Sequence, residues 1–180
     1  LGNWTFETLS INPAAPGFTN QGTIGVATSG TVVINSATQF LNQGTVSIPT
    51  SHTITVNGGD FKQSAGNANV NGTLAISGGN KVDMSGGVLS GSGSVNANVA
   101  NSGTGDVGPG NSAGKLHIQG TYSQSATAKA TIELGGTTPV IDHDVLEISG
   151  AATLNGTLRL KIINSFVPTP AMTFTILTAG

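Results

Sequence analysis

Apolar and polar residues alternate along most of this chain in short runs of four or five, each bounded by Gly, Asn or Ser. Alternation with a period of two predicts strands with one face buried and one face wet. Such strands are expected at 23–26, 31–34, 45–48, 53–56, 73–76, 81–84, 88–89 and 94–99. No stretch of useful length carries the helical period. A second, longer rhythm lies over the first. Phe18, Phe40, Phe61, Met84 and Val107 follow one another at steps of 22, 21, 23 and 23 residues. Ile24, Val46 and Ala68 keep the same beat, as do Val26, Ile48 and Val70, and Val32, Ile54 and Ile76. Strands and turns recurring at such an interval are the signature of a stacked coil.

The fold expected is therefore an all-β parallel β-solenoid of roughly 22-residue rungs, with inward stacks holding one residue per rung. Adjacent rungs should lie about 4.8 Å apart. Three zones follow from the pattern. Residues 1–17, with Trp4, Phe6, Pro13 and Pro16, read as an N-terminal cap, and residues 18–118 as four to five regular rungs. The beat weakens at the turn-rich segment 106–114, so residues 119–180 read as wider C-terminal solenoid or capping strands. The corners are expected at repeated phrases: Asn20-Gln21-Gly22-Thr23, Asn42-Gln43-Gly44-Thr45 and Asn71-Gly72-Thr73. Asn and Gly tolerate left-handed backbone better than other residues.

Composition narrows the function classes. Only 8% of residues are charged, 4% are aromatic, 27 are Gly and none is Cys. The longest apolar runs, such as 32–34, fall far short of a membrane-spanning helix of about 20 residues, so no membrane insertion by this chain is expected. A net charge of −2 with six scattered Lys and Arg offers no basic stripe for nucleic acid. From Thr8 to Gly59 there is no Asp, Glu, Lys or Arg at all. Such charges are what normally blunt exposed strand edges, so a homo-oligomer or filament built end to end is the expected partner state.

Longer phrases resemble bacterial autotransporter-type passenger repeats. They are Val88-Leu89-Ser90-Gly91-Ser92-Gly93-Ser94-Val95-Asn96, Val107-Gly108-Pro109-Gly110-Asn111-Ser112-Ala113-Gly114, and Asp144-Val145-Leu146-Glu147-Ile148-Ser149-Gly150 with Leu154-Asn155-Gly156-Thr157-Leu158. The likeness covers most of residues 20–180 and implies an exported bacterial β-solenoid, secreted or at the cell surface. Members of that group are adhesins, stalks and secreted proteins, so the resemblance says little about activity. A passenger would continue into a membrane-embedded barrel. The chain read so is a fragment of one, or a free secreted relative, with an upstream region removed before Leu1.

Candidate chemistry is sparse. Asp60, Asp83 and Asp106 recur at steps of 23, which on successive rungs would stack three carboxylates about 5 Å apart. Such a ladder calls for calcium or for neutralisation by Lys62 and Lys81; otherwise these are solvated turn residues. Asp142, His143 and Asp144 form a second candidate metal group, although on a strand His143 would leave the face that the two acids share. His52 and His117 stand alone. The only Arg, Arg159, has no acidic pair beside it in the chain, and no Ser has a His and Asp pattern around it. The Thr residues do not form a regular array on every rung, which argues against ice binding. No catalytic residue, metal or cofactor is therefore assigned. The expected role is a non-enzymatic extracellular structural or adhesive solenoid, whose partners are copies of itself and surface glycans or other cells. The alternative is a carbohydrate-binding or carbohydrate-active β-helix, which an acidic, aromatic-lined groove would favour and smooth Thr/Ser/Asn faces would oppose.

Overall fold

The computed structural model describes residues 3–11, 17–36 and 38–180, and these contain strands and turns but no helix. The chain winds as a three-sided parallel coil of seven rungs, each rung giving one strand to each side. The first side stacks Phe18–Asn20, Gln39–Asn42, Asp60–Gln63, Lys81–Met84, Asn98–Asn101, Tyr122–Gln124 and Ala152–Thr153. On the second side the front half of Thr23–Asn35 is followed by Thr45–Ile48, Asn67–Val70, Val88–Gly91, Asp106–Pro109, Lys129–Leu134 and Thr157–Ile162. On the third, the back half of Thr23–Asn35 is followed by Thr53–Asn57, Thr73–Ile76, Ser94–Asn96, Lys115–Ile118, Val145–Ile148 and Leu177–Ala179. Strand Asn3–Ile11 lies parallel along Thr23–Asn35, with Asn3 opposite Thr23 and Ile11 opposite Ile34. The side chains of Trp4 and Phe6, and the segment with Pro13 and Pro16, lie outside the described residues.

The parallel β-solenoid and its period are as the hydrophobic pattern requires. On the first side the steps between facing residues are 22 from Phe18 to Phe40, then 21 to Phe61 and 21 to Val82. The step shortens to 17 from Val82 to Val99, returns to 23 at Tyr122 and widens to 30 at Ala152. Inward residues of all three sides merge into one continuous apolar core from Ile24 to Ile148. Phe18 and Phe40 stack with ring centroids 5.6 Å apart, and Phe40 meets Phe61 edge-on at 5.1 Å, geometries that suit aromatic quadrupoles.

Two of the expected stacks are corrected by the register. Phe61 faces Val82, whereas Met84 faces Gln63 and Asn101, and Val107 stands on the second side opposite Leu89. Likewise Ile54 faces Leu74, and Ile76 faces Val56. The stack of Ile24, Val46 and Ala68 is as read.

The Asn of the corner phrases have a different job from the one their backbone freedom suggests. Asn20 and Asn42 point inward and are buried, as is Gln63 above them. Asn20 Nδ2 donates to Asn42 Oδ1 at 2.7 Å, and Asn42 Nδ2 donates to Gln63 Oε1 at 3.0 Å. Each amide also caps backbone at the corner: Asn20 donates to the Thr45 carbonyl and Gln63 to the Val88 carbonyl. Left-handed backbone is carried mostly by glycines such as Gly66, at φ 68°, where a Cβ would collide with the Gly44 carbonyl oxygen.

The same inward column continues through Met84 to Asn101 and Gln124, so one rung of the amide ladder is missing. The gap leaves a mark: Asn101 Oδ1 is buried without a hydrogen-bond partner. Below the gap, Gln63 Nε2 turns to the Gly66 carbonyl at 3.2 Å. Met84→Gln should complete the ladder, accepting from Gln63 and donating to Asn101 Oδ1. An unsatisfied buried acceptor costs about 1–3 kcal/mol. The variant is therefore expected to gain about 1 kcal/mol in chemical denaturation, although a polar group replaces an apolar one in the core. A loss of stability would show that the gap is not where the ladder fails.

Candidate functional site

The second side carries a polar recess with several charged residues. Its outward residues stack in columns: Asn69 faces Ser90, Ser90 faces Gly108, and Thr131 faces Arg159. Beside them Asp106 faces Val88 and Lys129, and Glu133 faces Lys161. Gly108 has no side chain, so the stack is hollowed between Ser90 and Thr131. The result is a groove of about 390 Å³ that spans the rungs from Asn67 and Asn69 to Arg159 and Lys161.

One wall of the groove is the loop 110–114, which joins the second side to the third. Its tip reaches back two rungs and is held there by three amides. Asn69 Nδ2 donates to Asn111 Oδ1 (2.8 Å), Asn111 Nδ2 to Asn71 Oδ1 (3.1 Å), and Asn71 Nδ2 to Asn69 Oδ1 (3.0 Å). The base of the loop is held by Asp144. Its carboxylate accepts from Gly114 N at 3.0 Å and from Glu133 N at 2.7 Å. Burial pushes this carboxyl up to about 7, helped by the charge of Glu133 and opposed by the two backbone N–H donors and by Lys161.

Most charges of the groove are already engaged. Lys161 Nζ pairs with Glu133 Oε1 at 2.7 Å, and the Thr131 hydroxyl lies 2.9 Å from each oxygen of Asp106, donating to the pair. Arg159 is exposed and makes no ion pair among the described residues. In the chain no acidic pair stands beside Arg159. In the fold Glu133 is one rung away and Asp106 two, and both share its groove. Separations of 26 and 53 residues in the chain hide this neighbourhood.

The acidic ladder does not form. Asp60 faces Gln39 and accepts from Lys81 N at 3.0 Å, Asp83 faces Lys62 and Ala100, and Asp106 lies on another side of the coil. Asp83 also pairs with Lys81 at 3.5 Å, so lysines surround it in place of carboxylates. The Asp142, His143, Asp144 group also comes apart. Asp142 is held below its ordinary range by hydrogen bonds from Thr138. His143 is fully buried, with Nδ1 3.1 Å from the Gly136 carbonyl, Nε2 3.3 Å from the Thr175 carbonyl and Phe174 edge-on at 5.4 Å. Asp144 turns towards Gly114 and Glu133. Among the described residues no three His, Asp or Glu side chains gather as a metal site.

His117 is less isolated than its place in the chain suggests. It lies beside Lys115 and across from Glu147, which takes a 3.0 Å ion pair from Lys115. The 30-residue step between these strands conceals the pairing. Comparison with protein-family models, with characterised proteins and with solved structures gave no match.

Proposed function

We propose that this protein is a non-enzymatic structural or adhesive rod, an exported β-solenoid of autotransporter-passenger type that acts at the bacterial surface and stacks end to end. One observation carries the reading. The inward residues of the last second-side strand, Leu158, Leu160 and Ile162, are 53%, 53% and 46% exposed. One rung earlier the same positions, Ala130, Ile132 and Leu134, are at most 9% exposed. Over the described residues the core is uncovered here, with an apolar hollow of about 230 Å³ between Ile132, Leu146, Leu158 and Leu177. A further β layer would bury these residues and pair the free edges of the last rung, as each rung does for its neighbour.

The outward surfaces support a scaffold. On the third side Thr31, Thr53, Thr73 and Ser94 stand in one column of small hydroxyl residues. The acids of the groove are tied to Lys161, Thr131 or backbone N–H groups, an arrangement that suits binding better than proton transfer.

Sedimentation over a wide concentration range tests the stacking. Mass should rise with concentration, and Leu160→Lys, which places a charge on the open end, should hold the chain as a monomer. A wild-type chain that stays monomeric at the highest concentration overturns end-to-end assembly.

A further inference from the structure

We infer that the groove on the second side is a binding site for a neutral oligosaccharide chain, with Gly108 as its floor. The first reason is Gly108 itself. Glycine inside a strand weakens it and marks a bulge, a bend or a close approach by something else. The other glycines around this strand have internal reasons. A Cβ on Gly91 would collide with the backbone of Val70, and Gly110 has φ 76° and would collide with the Ser112 carbonyl. Gly108 has neither constraint. Its φ is not left-handed, and a Cβ there would meet only the Thr131 carbonyl oxygen, at an ordinary 3.6 Å. Nothing in the chain needs this position to be bare, so the space above it is what the glycine provides.

The shape and chemistry of that space select the ligand. Five rungs from Asn69 to Arg159 extend about 19 Å, which suits a linear molecule lying along the coil. The floor and walls offer flat, bidentate polar groups: the Asn67 amide, the Asp106 carboxylate and the Arg159 guanidinium. Such groups complement pairs of neighbouring hydroxyls, and because no aromatic residue lines the groove, recognition rests on them and not on ring stacking. Charge argues against an anion. Lys161 and Glu133 neutralise each other, and the free guanidinium of Arg159 is balanced by Asp106 two rungs away. An extended peptide would need apolar pockets for alternate side chains, and here only Val88 and Pro109 are apolar. The overhanging loop is fixed by the Asn69–Asn71–Asn111 triangle and by Asp144, so this wall is set before any ligand arrives, which favours affinity.

Calorimetric titration tests the site with hexasaccharides of β-1,4-glucose, α-1,4-glucose and β-1,4-N-acetylglucosamine, and with oligogalacturonate as the anionic probe. At least one neutral hexamer should bind with a Kd of about 1 mM or tighter. Gly108→Gln, which fills the floor, should abolish that binding while leaving the thermal midpoint unchanged or raised, since a strand interior favours a side chain over glycine. Arg159→Gln removes an exposed, unpaired group without touching the core and should weaken binding about tenfold. Preference for oligogalacturonate, no binding by any neutral hexamer, or binding that Gly108→Gln leaves intact would each overturn the inference. Stacking of rods is a separate property. A Gly108→Gln chain that still self-associates but binds no saccharide would show that the two are independent.

Discussion

Replacing Asn42 by leucine should lower the stability of the coil by about 3 kcal/mol, although leucine keeps asparagine's branching and heavy-atom count and is more apolar. Asn42 is fully buried and sits in the middle of the amide ladder. Leucine would leave Gln63 Oε1 without its donor and deprive Asn20 Nδ2 of one of its two acceptors. Each buried group left unpaired costs about 1–3 kcal/mol, while removing both partners together is far cheaper. That asymmetry makes the expectation specific to a ladder. Asn42→Leu combined with Gln63→Leu should cost clearly less than the sum of the two single changes, because in the double variant no amide is left facing an apolar side chain across that step. Urea denaturation of the three variants decides it. A single-variant loss below about 1 kcal/mol, or strict additivity, would mean that the amides are passengers in the core and do not hold the corner.

The same column explains why part of the coil was legible in the chain and part was not. Period-two alternation assigns each residue to the inside or the outside, and it did so correctly for Phe61, Val82 and Met84. It cannot distinguish registers that differ by two residues, because such a slip leaves every side chain on its own face. Met84 in place of Val82, and Ile76 in place of Leu74, are slips of this kind. Val107 departs from the constant period for another reason. The turn after Ser94–Asn96 is so short that the next first-side step is 17 residues, and the chain is already on the second side at Val107. The lost length reappears in the 110–114 loop, which is the wall of the groove. A constant period applied across that segment therefore aligns Asp106 with Asp83, which stands on another side, while Asp60 and Asp83 are out of line by the same slip of two. It also concealed Asp106, Glu133 and Arg159, which the fold brings into one groove.

Thermal stability should fall as the pH is raised from about 4 to about 7, and Asp144 is the residue responsible. Its carboxyl is buried where the 110–114 loop, strand Lys129–Leu134 and strand Val145–Ile148 meet. Burial is the leading cause of its rise from an ordinary 3.8 to about 7, and the Glu133 charge acts in the same direction. The Gly114 and Glu133 N–H groups and Lys161 act against it. The folded state therefore holds this proton more tightly than the unfolded chain does. The stabilisation is fully present below the unfolded value and is lost as the pH passes through the folded one. A rise of this size corresponds to at most about 4 kcal/mol, or a fall of about 10 °C in Tm for a chain of this length. Other groups titrate in the same range, so the informative quantity is the difference from Asp144→Asn, whose side chain cannot ionise. At acid pH the wild type should be the more stable, because the amide NH₂ of the variant must face one of the two backbone N–H donors. That advantage should shrink steadily between pH 4 and 7 and then level off. Profiles that run parallel across the whole window would show that the two N–H donors keep Asp144 ionised at every pH tested, and that it fastens the loop as a carboxylate throughout.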